Sequence, residues 1–382
     1  MTDSGAQTSP APSAVYVHIP FCASKCTYCA FYSEPVSRHN TQRLMQAIHK
    51  ELSQADTRSV RTVYVGGGSP SCLPAHQLFD LVKAIRNQCP NIEEFTVECN
   101  PGQVNPDMLT CLHDLGVNRL SMGAQSFDPE ELQRLQRGHT AQTVCTAVHQ
   151  ARQAGFENLS LDLIFAICGS TQVTWQASLD KAIALDPDHI SAYALTLEPN
   201  TPLALAVTQG QLNAMDAATD RAMYEQAIDT LTRAGYEQYE ISNFAKPGHA
   251  CEHNLGTWHN LPYLGFGPSA ASYDGYLRTQ NVSDIKAYVD ALESGQSPVK
   301  ESVFISPADR ICETAVLNLR TRHGIDVKRF VRDTGQDPHL LFAGAIQKHH
   351  EQGFLTIKQD RLCLTDRALP IADSVLCDFA AL

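Results

Sequence analysis

Cys22, Cys26 and Cys29 lie on one short stretch, YVHIPFCASKCTYCAFYS, spaced C-x3-C-x2-C. Three thiolates this close can wrap one cubane iron–sulfur cluster and leave its fourth iron without a protein ligand. An open iron is where a cofactor or substrate coordinates. A zinc ion completed by a remote His or Cys is the competing reading, but the uneven spacing and the lack of a second CxxC pair fit zinc poorly. Lys25 and the aromatic Phe21, Tyr28 and Phe31 would crowd such a loop, shielding a cluster from water and tuning its potential. Downstream, Gly66-Gly67-Gly68-Ser69-Pro70 follows the apolar run TVYV. Glycines there let the backbone approach a ligand and offer it amides and carbonyls, although ordinary tight turns use them too.

Such residues need a rigid frame. From Val15 to about Leu197, short β-branched or aromatic runs alternate with helical patterns: VYVHI at 15–19, TVYV at 62–65, FTVEC at 95–99, RLSMG at 119–123, LSLDLI at 159–164 and ISAYALTL at 190–197. That alternation predicts βα units and a parallel sheet. Asp128-Pro129-Glu130-Glu131 supplies an N-cap, a proline at the first helical position and acidic residues in the first turn. Six units predict an α/β fold, a partial (βα)6 barrel with its site at the carboxyl ends of the strands, and a doubly wound sheet is the alternative. A helix is expected over 213–234. The following NFAKPGHACEHNLGTWHNLPYLGFGPSAAS is a long loop rich in His, Asn, aromatic and Gly residues, and long structured loops tend to be functional. From Ser306 helices take over, with two strand-like segments around Gln359-Asp360 and a last helix through Val375. They predict a small winged-helix-like domain serving as a lid or docking element. The expected division is a disordered tail over 1–14, the barrel over 15–235, a connecting region over 236–300 and the C-terminal domain over 301–382.

The chain has 382 residues, 43% hydrophobic and 18% charged, enough apolar side chain for a sizeable core. A net charge of -12 argues against a nucleic-acid backbone as the main partner, since phosphates demand a surplus of Lys and Arg. No apolar run is long enough to span a membrane, and the polar start MTDSGAQTSPAPSA has no signal-peptide character, so a cytoplasmic, reducing location is expected. With thirteen cysteines in such a setting, metal binding comes before disulfides. Most of the ten outside the loop stand alone in apolar contexts and read as small buried hydrophobes.

The cysteine spacing at the end of a first barrel strand resembles the radical S-adenosylmethionine superfamily. YVHIPFC with the following cysteines resembles its coproporphyrinogen dehydrogenase-like family, from about residue 14 to residue 382. The resemblance implies a [4Fe-4S] cluster on Cys22, Cys26 and Cys29 with S-adenosylmethionine at the open iron, cleaved by an electron from the cluster. It implies that Gly67, Gly68 and Ser69 receive the cofactor's amino group, and that Tyr16, Glu98, Gln125, Arg137 and Asp162 contact the cofactor. Their chemistry suits this, because Glu98 or Asp162 can accept ribose hydroxyls and Arg137 can pair with the methionine carboxylate. Read alone, each is an ordinary strand-end polar residue.

Within that family, oxygen-independent coproporphyrinogen III dehydrogenases, which decarboxylate propionates in porphyrin biosynthesis, carry a fourth cysteine two positions after the third. Here that position is Phe31. The difference points to the heme-chaperone branch, with heme and a heme-acceptor protein as partners. It leaves a homodimer and a transient membrane-protein contact open, and the dehydrogenase stays the alternative. Cys251-Glu-His253-Asn254-x3-Trp258 resembles the branch's HNxxYW segment, with Thr257 for its Tyr. Imidazole is a good axial ligand and Trp a flat apolar face, so His253 and Trp258 are the heme candidates, Cys251 a further one. Ala30, the run FAICGST after LDLI, and Ala271 depart from the family pattern on the substrate side.

Overall fold

The computed structural model describes residues 10–382. Most of the tail expected over 1–14 thus lies outside the described residues. Its end is held: Ser59 donates to the Pro12 carbonyl at 2.7 Å, and the Ser13 amide and hydroxyl both reach the Pro262 carbonyl, at 2.9 and 3.1 Å.

Six strands, β1 (Ala14–Ile19), β2 (Thr62–Gly67), β3 (Glu94–Cys99), β4 (Arg119–Gln125), β5 (Asn158–Phe165) and β6 (His189–Ala194), lie side by side in chain order, every neighbour parallel. Helices α1 (Thr41–Ser53), α2 (Ala75–Gln88), α3 (Pro106–Asp114), α4 (Ala141–Gln153) and α5 (Gln172–Ala184) make the crossovers. Each strand alternates. Val15, Val17, Val63, Val65, Phe95, Val97, Leu120, Met122, Leu159, Leu161 and Ile190 are fully buried in one apolar core beneath the helices. The intervening positions are polar or small and face the concave side. Since successive side chains of a strand point to opposite faces, one sequence builds an oily outer layer and a polar lumen at once.

After α6 (Ala217–Arg233), the chain returns to the sheet. On one edge β8 (Asn243–Ala245) pairs antiparallel to β6, and β7 (Glu237–Gln238) pairs antiparallel to β8. Beyond α7 (Glu252–Trp258), β9 (Tyr263–Phe266) joins the other edge parallel to β1, a parallel strand beyond the six expected. The antiparallel β10 (Ala271–Tyr273), β11 (Leu277–Asn281) and β12 (Val299–Phe304) complete a sheet of order β12-β11-β10-β9-β1-β2-β3-β4-β5-β6-β8-β7. The region expected as a connector is therefore largely woven into the sheet.

The C-terminal segment runs α8 (Pro307–Leu319), β13 (Ile325–Asp326), helices over Val327–Thr334, Pro338–Leu341 and Ala343–Glu351, then the hairpin β14 (Leu355–Lys358) and β15 (Arg361–Leu364). Gln359 and Asp360 turn the hairpin at φ 46° and 65°, the left-handed pair that a two-residue turn requires. Helix, strand, further helices and a closing hairpin is a winged-helix-like order. Its apolar residues through Phe379 belong to the same core as Val15. Among the described residues, no helix is long and apolar enough to cross a membrane.

Candidate cluster and cofactor site

The chain leaves β1 at Ile19 and is pinned at once. Phe21–Cys22 pairs with Glu34–Pro35, closing the base of the cysteine loop. The glycine turn at the end of β2 holds the same strand, with Gly68 N donating to the Ile19 carbonyl at 2.8 Å and Ser69 N to that of Phe21 at 2.7 Å. A Cβ on Gly68 would stand 2.3 Å from the Phe21 oxygen, so only glycine allows this approach. Gly67 N donates to Glu98 Oε2 at 3.1 Å. The turn's amides are thus spent inside the protein, leaving the carbonyls of Gly67 and Gly68 as acceptors for a ligand ammonium. The glycines act first as a clamp on the loop, a role the sequence reading did not assign.

Cys22, Cys26 and Cys29 are half-buried on one wall of a cavity of about 670 Å³ at the carboxyl ends of β2 to β6. That size suits a small-molecule cofactor, whose pockets span roughly 300–1,000 Å³. Burial raises the pKa of Cys22 and Cys29, and the neighbouring Cys26 raises both further. Cationic iron would reverse that. Among the described residues, no three His, Cys, Asp or Glu side chains converge on a point suited to a single ion. Thr27 fastens the loop from outside, its hydroxyl donating to the Arg134 carbonyl at 2.9 Å and its own carbonyl accepting from Leu203 N at 3.0 Å.

Of the expected cofactor residues, Gly67, Gly68, Ser69, Glu98, Gln125, Arg137 and Asp162 line this cavity together. Arg137 reaches Cys26 Sγ at 3.4 Å with one nitrogen and the Gly123 carbonyl at 2.8 Å with another, while its Nε has no partner. Gln125 sits at φ 67°, where β4 slips register against β5, and so turns back into the cavity. Ser69 donates to Gln103 at 2.7 Å. Glu98 accepts from Tyr64 at 2.8 Å, and burial lifts its carboxyl to about 7. Asp162 accepts from Ser121, with Oδ distances of 3.2 and 3.1 Å, and is raised by burial too. Tyr16 does not line the cavity. It lies lower in the barrel with its hydroxyl 2.9 Å from His18 Nδ1, and His18 Nε2 is 2.9 Å from the Tyr32 carbonyl, which ties the far end of the cysteine loop to β1.

Arg119, Ser121 and Gln103 also line the cavity, and the sequence reading missed them. The signal was present in RLSMGAQ, where Arg119, Ser121, Gly123 and Gln125 alternate with apolar neighbours at the period of a strand.

The expected heme segment is placed elsewhere. Instead of an open loop, it forms α7 across the amino-terminal mouth of the barrel. Buried Glu94 caps this helix, accepting from Glu252 N and His253 N, both at 2.9 Å. His253 is buried, with Nδ1 3.1 Å from Thr62 Oγ1 and its ring 5.2 Å from that of Tyr64. Trp258 instead faces α8: its carbonyl accepts from Asn318 at 3.0 Å, and Arg320 lies 5.0 Å from its ring. Five residues of helix turn side chains by roughly 140°, so α7 does not bring the two heme candidates to one face. Cys251 is buried, its thiol 3.4 Å from Glu94, and is pushed up to about 12 by burial. Of this segment, Asn254 alone lines the cavity.

Residues 16–182 match the radical SAM superfamily and residues 305–371 the HemN C-terminal domain. The heme chaperone HemW of Bacillus subtilis is 33% identical over 374 residues, covering 96% of this chain and 98% of that protein. That of Escherichia coli is 38% identical over 266 residues, 68% of this chain and 69% of its own. Radical S-adenosyl methionine domain-containing protein 1 of Bos taurus mitochondria is 30% identical, covering 98% and 89%. Among solved structures, coproporphyrinogen III oxidase (HemN) from Escherichia coli superposes with a TM-score of 0.85 at 22% identity, covering 98% of this chain and 91% of that one, a likeness of fold. Taken with the parallel barrel and its cysteine loop, these relationships place the chain in the HemW heme chaperone family of radical SAM proteins.

Proposed function

We propose that this protein is a heme chaperone that holds a [4Fe-4S] cluster on Cys22, Cys26 and Cys29, binds S-adenosylmethionine beside it, and passes heme to an acceptor protein. The observation that carries the cofactor half is one cavity lined by three thiols, Arg137, Glu98 and Asp162. The residues fit the groups. Three thiols leave one iron of a cubane open, the carbonyls of the glycine turn accept an ammonium, Arg137 can meet a carboxylate, and the two buried carboxyls can accept ribose hydroxyls. When bound and reduced, the cluster supplies the electron for cofactor cleavage. Arg137 and Lys25 bring positive charge to the loop, and Tyr28 and Ile164 give its cavity an apolar wall.

The heme half is supported by the name that the relatives carry and by Phe31. Where the dehydrogenase pattern has its fourth cysteine, Phe31 is 70% exposed on the rim, an apolar surface without a thiol. His253 would serve as an iron ligand only after α7 leaves the barrel mouth, since its ring is enclosed by β2. The deciding experiment is an anaerobic heme titration of cluster-loaded protein followed at the Soret band, with a C22A/C26A/C29A control. Saturation near one heme per chain is expected. Weak, unsaturable association together with S-adenosylmethionine-dependent turnover of coproporphyrinogen would overturn the chaperone reading in favour of the dehydrogenase.

A further inference from the structure

Arg119 opens β4 at the lower end of the lumen and is 1% exposed. Its Nε has no partner, and among the described residues it enters no ion pair, yet it lines the cofactor cavity. A buried cation left so costs several kcal/mol unless other charges compensate for it. The next inward positions of β4 are Ser121 and Gly123, both small, so a long side chain can rise beneath the cavity floor. Ser121 stands in register beside Glu98 on β3, and Gly123 beside Asp162 on β5. Arg119 is therefore flanked by the two strands that carry the cavity's carboxyls.

We infer that Arg119 is a positioning residue for the nucleoside end of the cofactor, keeping Glu98 and Asp162 ionised so that both accept ribose hydroxyls. The inference rests on the cofactor reading above. Around Glu98 stand Tyr16 on β1, Tyr64 on β2, Cys99 on β3, Arg119 on β4 and Asp162 on β5. Arg119 is the one cation among them. Around Arg119 are the Glu94 carboxyl, the neutral Tyr64, Cys251 and Tyr239, and the imidazoles of His189 and His253, which burial keeps neutral and whose charging the nearby Arg119 disfavours further. Burial pushes both carboxyls towards the protonated form, and an ionised acceptor bonds a hydroxyl about twice as strongly as a neutral one. The cation below offsets part of that burial.

The test is S-adenosylmethionine affinity of the cluster-loaded protein, measured by calorimetry from pH 6 to pH 9, for wild type, Arg119→Met, Arg119→Lys and Glu98→Gln. Wild-type affinity should fall as pH drops through about 7, where Glu98 takes up a proton. Arg119→Met should move that inflection up by a unit or more. At pH 7 a one-unit shift cuts the ionised fraction from about one half to about a tenth, a loss of roughly fivefold, and the gap closes by pH 9. Arg119→Lys should restore the profile, and Glu98→Gln should flatten it. An equal loss at every pH, or none, assigns Arg119 a purely structural part and overturns the inference. If Arg119→Met fails to fold, the wild-type and Glu98→Gln profiles decide, and a flat wild-type profile overturns it. Glu98→Gln and Asp162→Asn that bind like wild type would instead reject the cofactor contacts on which it rests.

Discussion

Replacing Gly68 with alanine tests whether the glycine turn is a clamp on the cysteine loop. The new Cβ would lie 2.3 Å from the Phe21 carbonyl oxygen, 2.8 Å from its carbon and 2.9 Å from the Ile19 oxygen, all backbone atoms that cannot swing aside. Overpacking of this kind costs about 1–3 kcal/mol. Relief requires the two segments to part, which breaks the Gly68 to Ile19 and Ser69 to Phe21 hydrogen bonds, roughly 1 kcal/mol each. The sum, about 3–5 kcal/mol, is a large share of a typical domain's stability. Cys22 follows Phe21 directly, so the same displacement should also misplace a cluster ligand. Urea unfolding of the cluster-free protein gives the first number, and iron per chain after anaerobic reconstitution gives the second. Gly344→Ala is the control. It lies in a helix with nothing within 4 Å of the added Cβ and should gain up to about 1 kcal/mol. A Gly68→Ala protein within 1 kcal/mol of wild type that loads iron fully would refute the clamp.

His253 predicts a pH dependence. Burial, with Arg119 nearby, lowers its imidazole to about 4, against about 6.5 unfolded. The native state stays neutral where the unfolded chain protonates, so this contribution is full above pH 6.5 and declines towards pH 4, by up to about 3 kcal/mol. His253→Gln should flatten that part of the urea-midpoint profile, and an unchanged slope would count against the buried, neutral imidazole. Glu94→Ala strips the cap from α7 and should cost about 3 kcal/mol, since two hydrogen bonds to a buried carboxylate disappear. If heme reaches His253 only when α7 opens, the same variant should bind heme faster in stopped-flow mixing, and an unchanged rate would separate heme binding from α7. Arg137→Met should keep iron per chain and lower S-adenosylmethionine affinity by tenfold or more, the worth of one charge-assisted bond; wild-type affinity would remove Arg137 from the cofactor site.

The cysteine loop, the six parallel strands and part of the cavity wall were legible in the chain because they rest on local rules. Strand alternation, the N-cap Asp128 and the turn at Gln359-Asp360 are written in neighbouring residues, and Glu98, Gln125 and Asp162 fall near strand ends where such barrels open. Phe31 likewise separated two branches of one family before any fold was known. What remained illegible depends on partners far away in the sequence. Gly68 is a clamp only because Phe21 passes it, and Arg119 matters only because Glu98 and Asp162 stand on the strands to either side. The segment with His253 and Trp258 read as a long loop because its punctuation is that of a loop. Tertiary structure decided otherwise: Glu94, on a strand far upstream, supplies the cap that turns it into a helix and seats its histidine inside the barrel. A hydrogen-bond acceptor from another element can impose helix where local propensity is neutral, and no reading of nearby residues contains that acceptor.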